Sequence, residues 1–227
     1  MTTIKNNIER IRESIPSNVK LVAVSKTKPI EAIQEAWDCG QRIFGENRVL
    51  ELAEKHSKIN LPIEWHMIGH LQTNKIKYIA PFVSLIQSVD SFKLLKEINK
   101  EAVKNNRVIK CLLQIFIAQE KTKFGFSEFE IEEMLSSVEF KNLKSIKILG
   151  LMGMATFTDN QEQIRKEFRS LSKTCNKIKS AFYNDNPEFC EISMGMSGDY
   201  KIAVEEGSTI IRVGSAIFGT RDSILTN

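Results

Sequence analysis

Two segments near opposite ends of the chain hold residue types that could do chemistry together. The first is LVAVSKTKP (21–29), in which Lys26 directly follows an apolar, valine-rich run. Burying an ammonium is costly, so a lysine there is unusual. Partial desolvation makes a free amine available as a nucleophile toward an aldehyde. The competing reading is a lysine that has already reached solvent at the end of a strand, which is the expectation for Lys28. The second segment comprises SMGMSGDY (193–200) and RVGSAIFGT (212–220). Gly195 and Gly198 permit close backbone approach, and Ser197 and Gly198 stand where a helix begins. Exposed N–H groups there favour an anion. An ordinary capped helix after a glycine turn would look the same. Gly214 and Ser215 add two further N–H donors and a hydroxyl. Two adjacent anion sites are more specific than either alone and point to one phosphate. Arg212 should point either into the mouth of the site or into a helical layer.

Near-misses narrow the chemistry. GMSGD is not a nucleophile elbow, since Asp199 replaces the second glycine. Gly214 to Thr220 is not a P-loop, since Thr220 stands where lysine belongs. His66 and His70 are four apart but lack the glutamate of HExxH and flank Gly69, so no metal site is expected. Asn47, in FGENR, reads equally as a ligand donor or a helix N-cap.

The elements that would position these residues alternate. Strand-like runs occupy 21–25, 42–46, 64–69, 83–89, 108–118, 146–154, 188–195 and 209–214. Helical patterns lie between them, preceded by a helix over 2–14. Pro29 opens one helix and Gly40 closes it. Ser91 caps another, and Ser127 with Glu130 forms a capping box. Eight strand–helix units in 227 residues predict a closed (β/α)8 barrel in one domain spanning 1–227. The rival open sheet would carry GxGxxG after its first strand, where this chain has SKTKP. In a barrel the site lies beyond the strands' C-terminal ends, with phosphate at the last two.

Composition excludes other classes. The chain is 42% apolar and 26% charged, with 32 Lys and Arg against 28 Asp and Glu. That is the balance of a globular protein and leaves no basic block for nucleic acid. The longest apolar run is four residues, so no membrane span is expected. The charged N-terminal segment lacks an apolar signal core, so a cytoplasmic protein is expected. Cys39, Cys111, Cys175 and Cys190 form no CxxC pair and read as reduced thiols in the core.

The motifs VAVSKTKP, FGENRV, EWHMIGHLQTNK, SVDS, SMGMSGDY and STIIRVGSAIFG resemble those of the pyridoxal phosphate homeostasis protein family, across residues 22–219. The resemblance implies a barrel related to the N-terminal domain of alanine racemase, with pyridoxal 5′-phosphate (PLP) as cofactor. It makes Lys26 the Schiff-base lysine. Ser197, Gly198, Gly214 and Ser215 become the phosphate cradle, and Arg212 faces the pyridine nitrogen. Asn47 sits near the ring, and Met194 and His66 help line the pocket. The implied role is intracellular vitamin B6 homeostasis with little or no catalysis, with amino acids or PLP-dependent apoenzymes as possible recipients. Two positions depart from the family pattern, Phe116 after strand five and Thr156 after strand six; Glu120, Lys123 and Gly125 still fit.

The alternatives are a PLP-dependent amino-acid racemase, a Schiff-base aldolase acting on a sugar phosphate, and a scaffold that has lost its ligand. A racemase needs a second acid/base opposite Lys26. In alanine racemase that group is a tyrosine of the neighbouring subunit's C-terminal domain. This chain runs only about a dozen residues past strand eight, so such a domain is not expected. None of Tyr78, Tyr183 and Tyr200 is placed to replace it. An arginine at the pyridine nitrogen also weakens the ring as an electron sink. The aldolase would want its lysine on a later strand, with carboxylates nearby.

Overall fold

The structure, a computed structural model, describes residues 3–118 and 125–219. The strands are β1 (Lys20–Val24), β2 (Ile43–Glu46), β3 (Glu64–Met67), β4 (Leu85–Val89), β5 (Ile109–Gln114), β6 (Ile146–Met152), β7 (Glu191–Ser193) and β8 (Ile210–Val213). All pair in parallel and in sequence order, and β8 closes on β1. This is the (β/α)8 barrel that the alternation of patterns predicts. Outside it lie α1 (Ile4–Glu13), α2 (Ile30–Asp38), α3 (Val49–Lys58), α4 (Phe92–Lys104), α5 (Glu128–Ser136), α6 (Val138–Lys141), α7 (Gln161–Phe182), α8 (Tyr200–Glu205) and α9 (Ser215–Phe218). Among the described residues no helix is long and apolar enough to cross a membrane.

Local chemistry sets the helix ends. Ser91 Oγ accepts the Leu94 N–H, and Ser127 with Glu130 closes the expected capping box. Several elements differ from expectation. β5 stops at Gln114, because the Phe116 N–H turns away to Phe126 O instead of continuing the ladder. β7 is only three residues long, because Gly195, at φ 95°, swings the chain out of the sheet. Between β3 and β4 the chain forms a 3-10 turn, Thr73–Tyr78, and the helical region between β5 and β6 splits into α5 and α6. Cys111 and Cys175 are buried as expected, but Cys39 is half-buried and Cys190 exposed. Glu120, Lys123 and Thr220 lie outside the described residues.

Side chains alternate between two surfaces. Outward residues such as Phe44, Trp65, Leu151 and Ile211 pack beneath the helices in one continuous core. Each large apolar side chain buried there contributes about 1.5–3 kcal/mol, so this outer shell dominates stability. Inside the barrel, Val22, Leu85, Leu112, Met152 and Ile210 form a small apolar layer. Polar His66, Gln87, Ser193 and Arg212 are also buried within it.

One bulge makes the interior fit. Cys111 pairs with Ile148 but Leu112 with Gly150, so Leu149 is the extra residue. This lets both Leu149 and Met152 join the inner cluster. Gly150 has φ 152°, and a Cβ on it would stand 1.8 Å from Glu191 O on β7. Gly150→Ala should therefore force β6 and β7 apart and lower stability by about 3 kcal/mol. The check is the urea unfolding midpoint, which should fall clearly; an unchanged midpoint would mean that these strands approach one another differently.

Candidate functional site

The end of β1 turns sharply. Ser25 N–H donates to Gly45 O at 3.1 Å, and Lys28 N–H donates back to Ser25 O at 3.0 Å. Thr27 occupies the left-handed region at φ 63°. Lys26 thereby sits at the rim of a cavity of about 490 Å³ beyond the strands' C-terminal ends, a size suited to a small molecule. Lys28, expected to be free in solvent, instead donates to Phe218 O and Gly219 O at 3.1 and 3.3 Å. It ties the β1 turn to the end of α9.

Opposite, residues 196–199 form a tight turn. Asp199 Oδ1 accepts the Met196 N–H at 2.5 Å, and Asp199 N–H donates to Met196 O at 3.1 Å. Gly195 is required beneath it, since a Cβ there would meet Ala203 Cβ at 2.6 Å. Gly198, by contrast, faces open space, with nothing within 4 Å of where a Cβ would be. The turn holds Ser197 against the start of α9. Ser197 Oγ accepts from Gly214 N–H at 3.3 Å and Ala216 N–H at 3.4 Å. Converging N–H groups of this kind are an anion's ligands. The long bonds to a neutral hydroxyl leave them weakly satisfied.

Arg212 points inward. It is 4% exposed and also lines the cavity. Nη1 donates to Ser193 Oγ at 2.6 Å, and Nη2 donates to Gly153 O at 3.1 Å. Ser193 Oγ donates to Gln87 Oε1 at 2.6 Å, and Gln87 Nε2 meets His66 Nδ1 at 2.8 Å. The chain has one direction: guanidinium to hydroxyl to amide to imidazole. Burial pushes Arg212 down to about 10, with Asp199 opposing, so it stays cationic at neutral pH.

Asn47 also lines the cavity. The N-cap of α3 is Arg48 rather than Asn47, so the capping alternative is not realised. Instead Asn47 Oδ1 is buried without a hydrogen-bond partner. Gly69 lets it lie there, since a Cβ at Gly69 would come within 2.4 Å of Asn47 O.

Thus Lys26, Asn47, Ser197, Gly198, Arg212, Gly214 and Ser215 share one cavity. Two expected lining residues do not, and both are corrected. Met194 is fully buried in the outer core, because it alternates with inward Ser193 and so faces the helices. His66 does face inward but lies one strand repeat too deep, and Ile68 takes its place at the cavity wall. Met196 lines the cavity as well. Of the two departures from the family pattern, Phe116 is not among the lining residues. Thr156 is, and its N–H and Oγ1 both donate to Glu167, at 2.7 and 2.8 Å. Gln87 and Ser193, which support Arg212, were signalled in the sequence only as polar residues within the strand runs LIQSV and EIS.

The alanine racemase N-terminal domain family matches residues 1–222. A pyridoxal phosphate homeostasis protein of Aquifex aeolicus is 40% identical over 89% of this chain and 87% of its own. One of Vibrio alginolyticus is 36% identical over 98% and 99%. The chain belongs to the pyridoxal phosphate homeostasis protein family. PipY of Synechococcus elongatus, solved with PLP bound, superposes on this chain with a TM-score of 0.87 at 32% identity, covering 96% of this chain and 100% of that one. An alanine racemase of Clostridium difficile matches with a TM-score of 0.78 at 15% identity, and the match covers 57% of that chain. That likeness is one of fold.

The buried histidine has a measurable consequence. Burial, with Lys20 and Lys110 adding positive charge, pushes His66 from 6.5 down to about 3. Its folded pKa lies below its unfolded one, so its contribution is intact above pH 6.5 and is lost as pH falls. Between pH 7 and pH 5 the loss should be about 2 kcal/mol. His66→Gln can still accept from Gln87 and should flatten this slope. Urea titrations at the two pH values check it; an equally steep loss in the variant would place the proton uptake elsewhere.

Proposed function

We propose that the protein binds PLP and serves intracellular vitamin B6 homeostasis in the cytoplasm, with the one barrel as its whole binding unit. The observation that carries the reading is the meeting, in one cavity, of an amine, an anion cradle and a buried guanidinium. The cavity also fits the group on independent grounds. Asn47 Oδ1 is buried and unpartnered, and Gly198 leaves open space where a side chain would intrude. PLP, when bound, supplies an aldehyde to an amine and a ring that can draw electrons. Lys26 would provide the amine. Ser197, Gly198, Gly214 and Ser215 would hold the phosphate through N–H and hydroxyl donors. Arg212 would stand at the ring nitrogen, its direction set by Ser193 and Gly153 O. Asn47 would meet the ring's polar edge. Free cysteines, two of them buried, suit the cytoplasm.

Little or no turnover is the second part of the reading. Moving a proton to and from both faces of a substrate needs a group opposite Lys26. Among the described residues no tyrosine lines the cavity. Tyr200 instead pairs its hydroxyl with Ser14 at 3.1 Å, and Tyr183 is the half-buried C-cap of α7. A role in holding the cofactor and releasing it to amino acids or PLP-dependent apoenzymes matches this equipment better than racemisation does.

Titration with PLP tests the cradle and the lysine separately. Lys26→Ala should abolish the borohydride-reducible chromophore but keep partial affinity, since the phosphate donors are elsewhere. In Ser197→Asp a carboxylate would itself take the N–H groups of Gly214 and Ala216, and binding should weaken more than in Lys26→Ala. Like charges in such a site cost several kcal/mol at an effective dielectric of about 20. Full chromophore in Lys26→Ala, or unchanged affinity in Ser197→Asp, would overturn the respective assignment. For turnover, the loaded protein is incubated with L-alanine and other L-amino acids in D2O. Inversion is expected to be absent at ordinary enzymatic rates, about 1–1000 per second; rapid inversion of any of them would make the protein a racemase.

A further inference from the structure

A charge cluster lies behind the turn that carries Lys26, and the proposed function makes no use of it. Lys55, on α3, is 7% exposed. Its Nζ donates to Ser25 O at 2.7 Å, Glu46 Oε1 at 2.8 Å and Glu51 Oε1 at 2.7 Å. Those three bonds use all three ammonium protons. Glu46 is fully buried and also accepts from Ser25 Oγ at 2.6 Å. Glu51 Oε1 accepts the Thr27 N–H at 2.5 Å. The peptide groups on either side of Lys26 therefore end on one cluster, the Ser25 carbonyl on Lys55 and the Thr27 amide on Glu51.

Stability alone explains this arrangement poorly. Apolar residues of the same volume commonly serve a core as well as a buried ion pair does. Here Glu46 Oε2 is even left without a partner. What charge adds is direction. Thr27 is held at φ 63°, a conformation that a non-glycine residue adopts only when its surroundings enforce it. The Glu51–Thr27 and Lys55–Ser25 bonds hold the main chain on either side of Lys26, together with the Lys28 N–H bond to Ser25 O.

We propose that Lys55 and Glu51 are positioning residues for the amine of Lys26, fixing the Ser25–Thr27 main chain so that this amine faces the cavity. This rests on the reading of Lys26 as the residue that takes the aldehyde. Among the described residues, no hydrogen bond of Lys55, Glu46 or Glu51 reaches the phosphate cradle. Loss of the clamp should therefore separate covalent capture from phosphate binding.

Three variants test this. Glu51→Ala removes the acceptor of the Thr27 amide from a partly exposed site. Glu51→Gln keeps an acceptor oxygen. Glu46→Gln with Lys55→Met removes the buried charges together, leaving only the partly exposed Glu51 carboxylate, which keeps the Thr27 N–H. Each is titrated with PLP, the adduct at residue 26 being fixed by borohydride and quantified by peptide mass. Each is also titrated with pyridoxine 5′-phosphate, which has the same ring and phosphate but an alcohol for the aldehyde. Amide exchange at Thr27 and thermal unfolding are followed without ligand. In Glu51→Ala and the double variant, adduct formation should fall about 10- to 100-fold while pyridoxine 5′-phosphate affinity stays within about twofold. Thr27 exchange should quicken in Glu51→Ala, and Glu51→Gln should restore both readouts. Unchanged adduct formation in the folded variants, a parallel fall of both affinities, or loss of the folded state in both Glu51→Ala and the double variant would assign the cluster to structure alone and overturn the proposal. Absence of any adduct at Lys26 in the unmodified chain would instead overturn the functional reading beneath it.

Discussion

The pairing of β1 with β8 is the constraint on which the site depends. Val22 lies opposite Arg212 and Ala23 opposite Val213, so segments about 190 residues apart run side by side and end at the same level. Lys26 and the Gly214–Ser215 cradle share a cavity only because this ladder closes the barrel. The entropy of joining such distant segments grows only with the logarithm of the loop, so the long separation is tolerable once helices cover the seam. α1 helps to cover it, and the Asn7 side chain donates to Ile217 O at 2.9 Å, holding α9 from outside. Lys28 holds the same helix from the β1 side. The helix that follows the cradle is thus anchored from α1 and from the β1 turn.

Inside the closed barrel, the same pleat brings polar groups into a place where each must find a partner. Arg212, Ser193, Gln87 and His66 answer that demand by bonding to one another across β8, β7, β4 and β3. The result is a guanidinium whose direction is set by a chain of donors and a histidine held neutral by burial. On the outer side of β1 and β2, Glu46, Lys55 and Glu51 meet the same demand for the Ser25–Thr27 turn. Ser193, Gln87 and His66 in the first network, and Glu46, Lys55 and Glu51 in the second, support groups that line the cavity without lining it themselves.

Much of this was legible in the chain. The alternation of strand and helix patterns is local, as is the switch between periods of about two and 3.6 residues, and the caps at Ser91 and Ser127 depend on residues three apart. The glycines around Ser197 and at Gly214, and the lysine after the first strand, marked the ends of the right strands. The reading failed at boundaries and at orientation. β5 ends at Gln114 because a distant amide–carbonyl pair, Phe116 to Phe126, captures the backbone, although the apolar run continues to Ala118. Met194 stands in an apolar setting on the correct strand, yet the pleat turns it toward the helices. Asn47 has the chemistry of an N-cap, but Arg48 takes that position and the Asn47 amide remains at the cavity.

The sequence by itself determined the architecture, the family and the set of strand ends at which chemistry could occur, because those follow from periodicity and from residue types within short windows. Only the tertiary structure decided which side chains face the cavity and what holds them there. Inward or outward direction depends on strand register, on the bulge at Leu149 and on the twist that accumulates around the barrel. Arg212 is held by Ser193 and Gly153 O, and Lys55 by Ser25 O and Glu46 beside its helical neighbour Glu51; apart from that i,i+4 pair, these partners come from segments that no local pattern joins. A buried charge's geometry is set by whichever groups closure brings within hydrogen-bonding distance, and that is a property of the whole sheet.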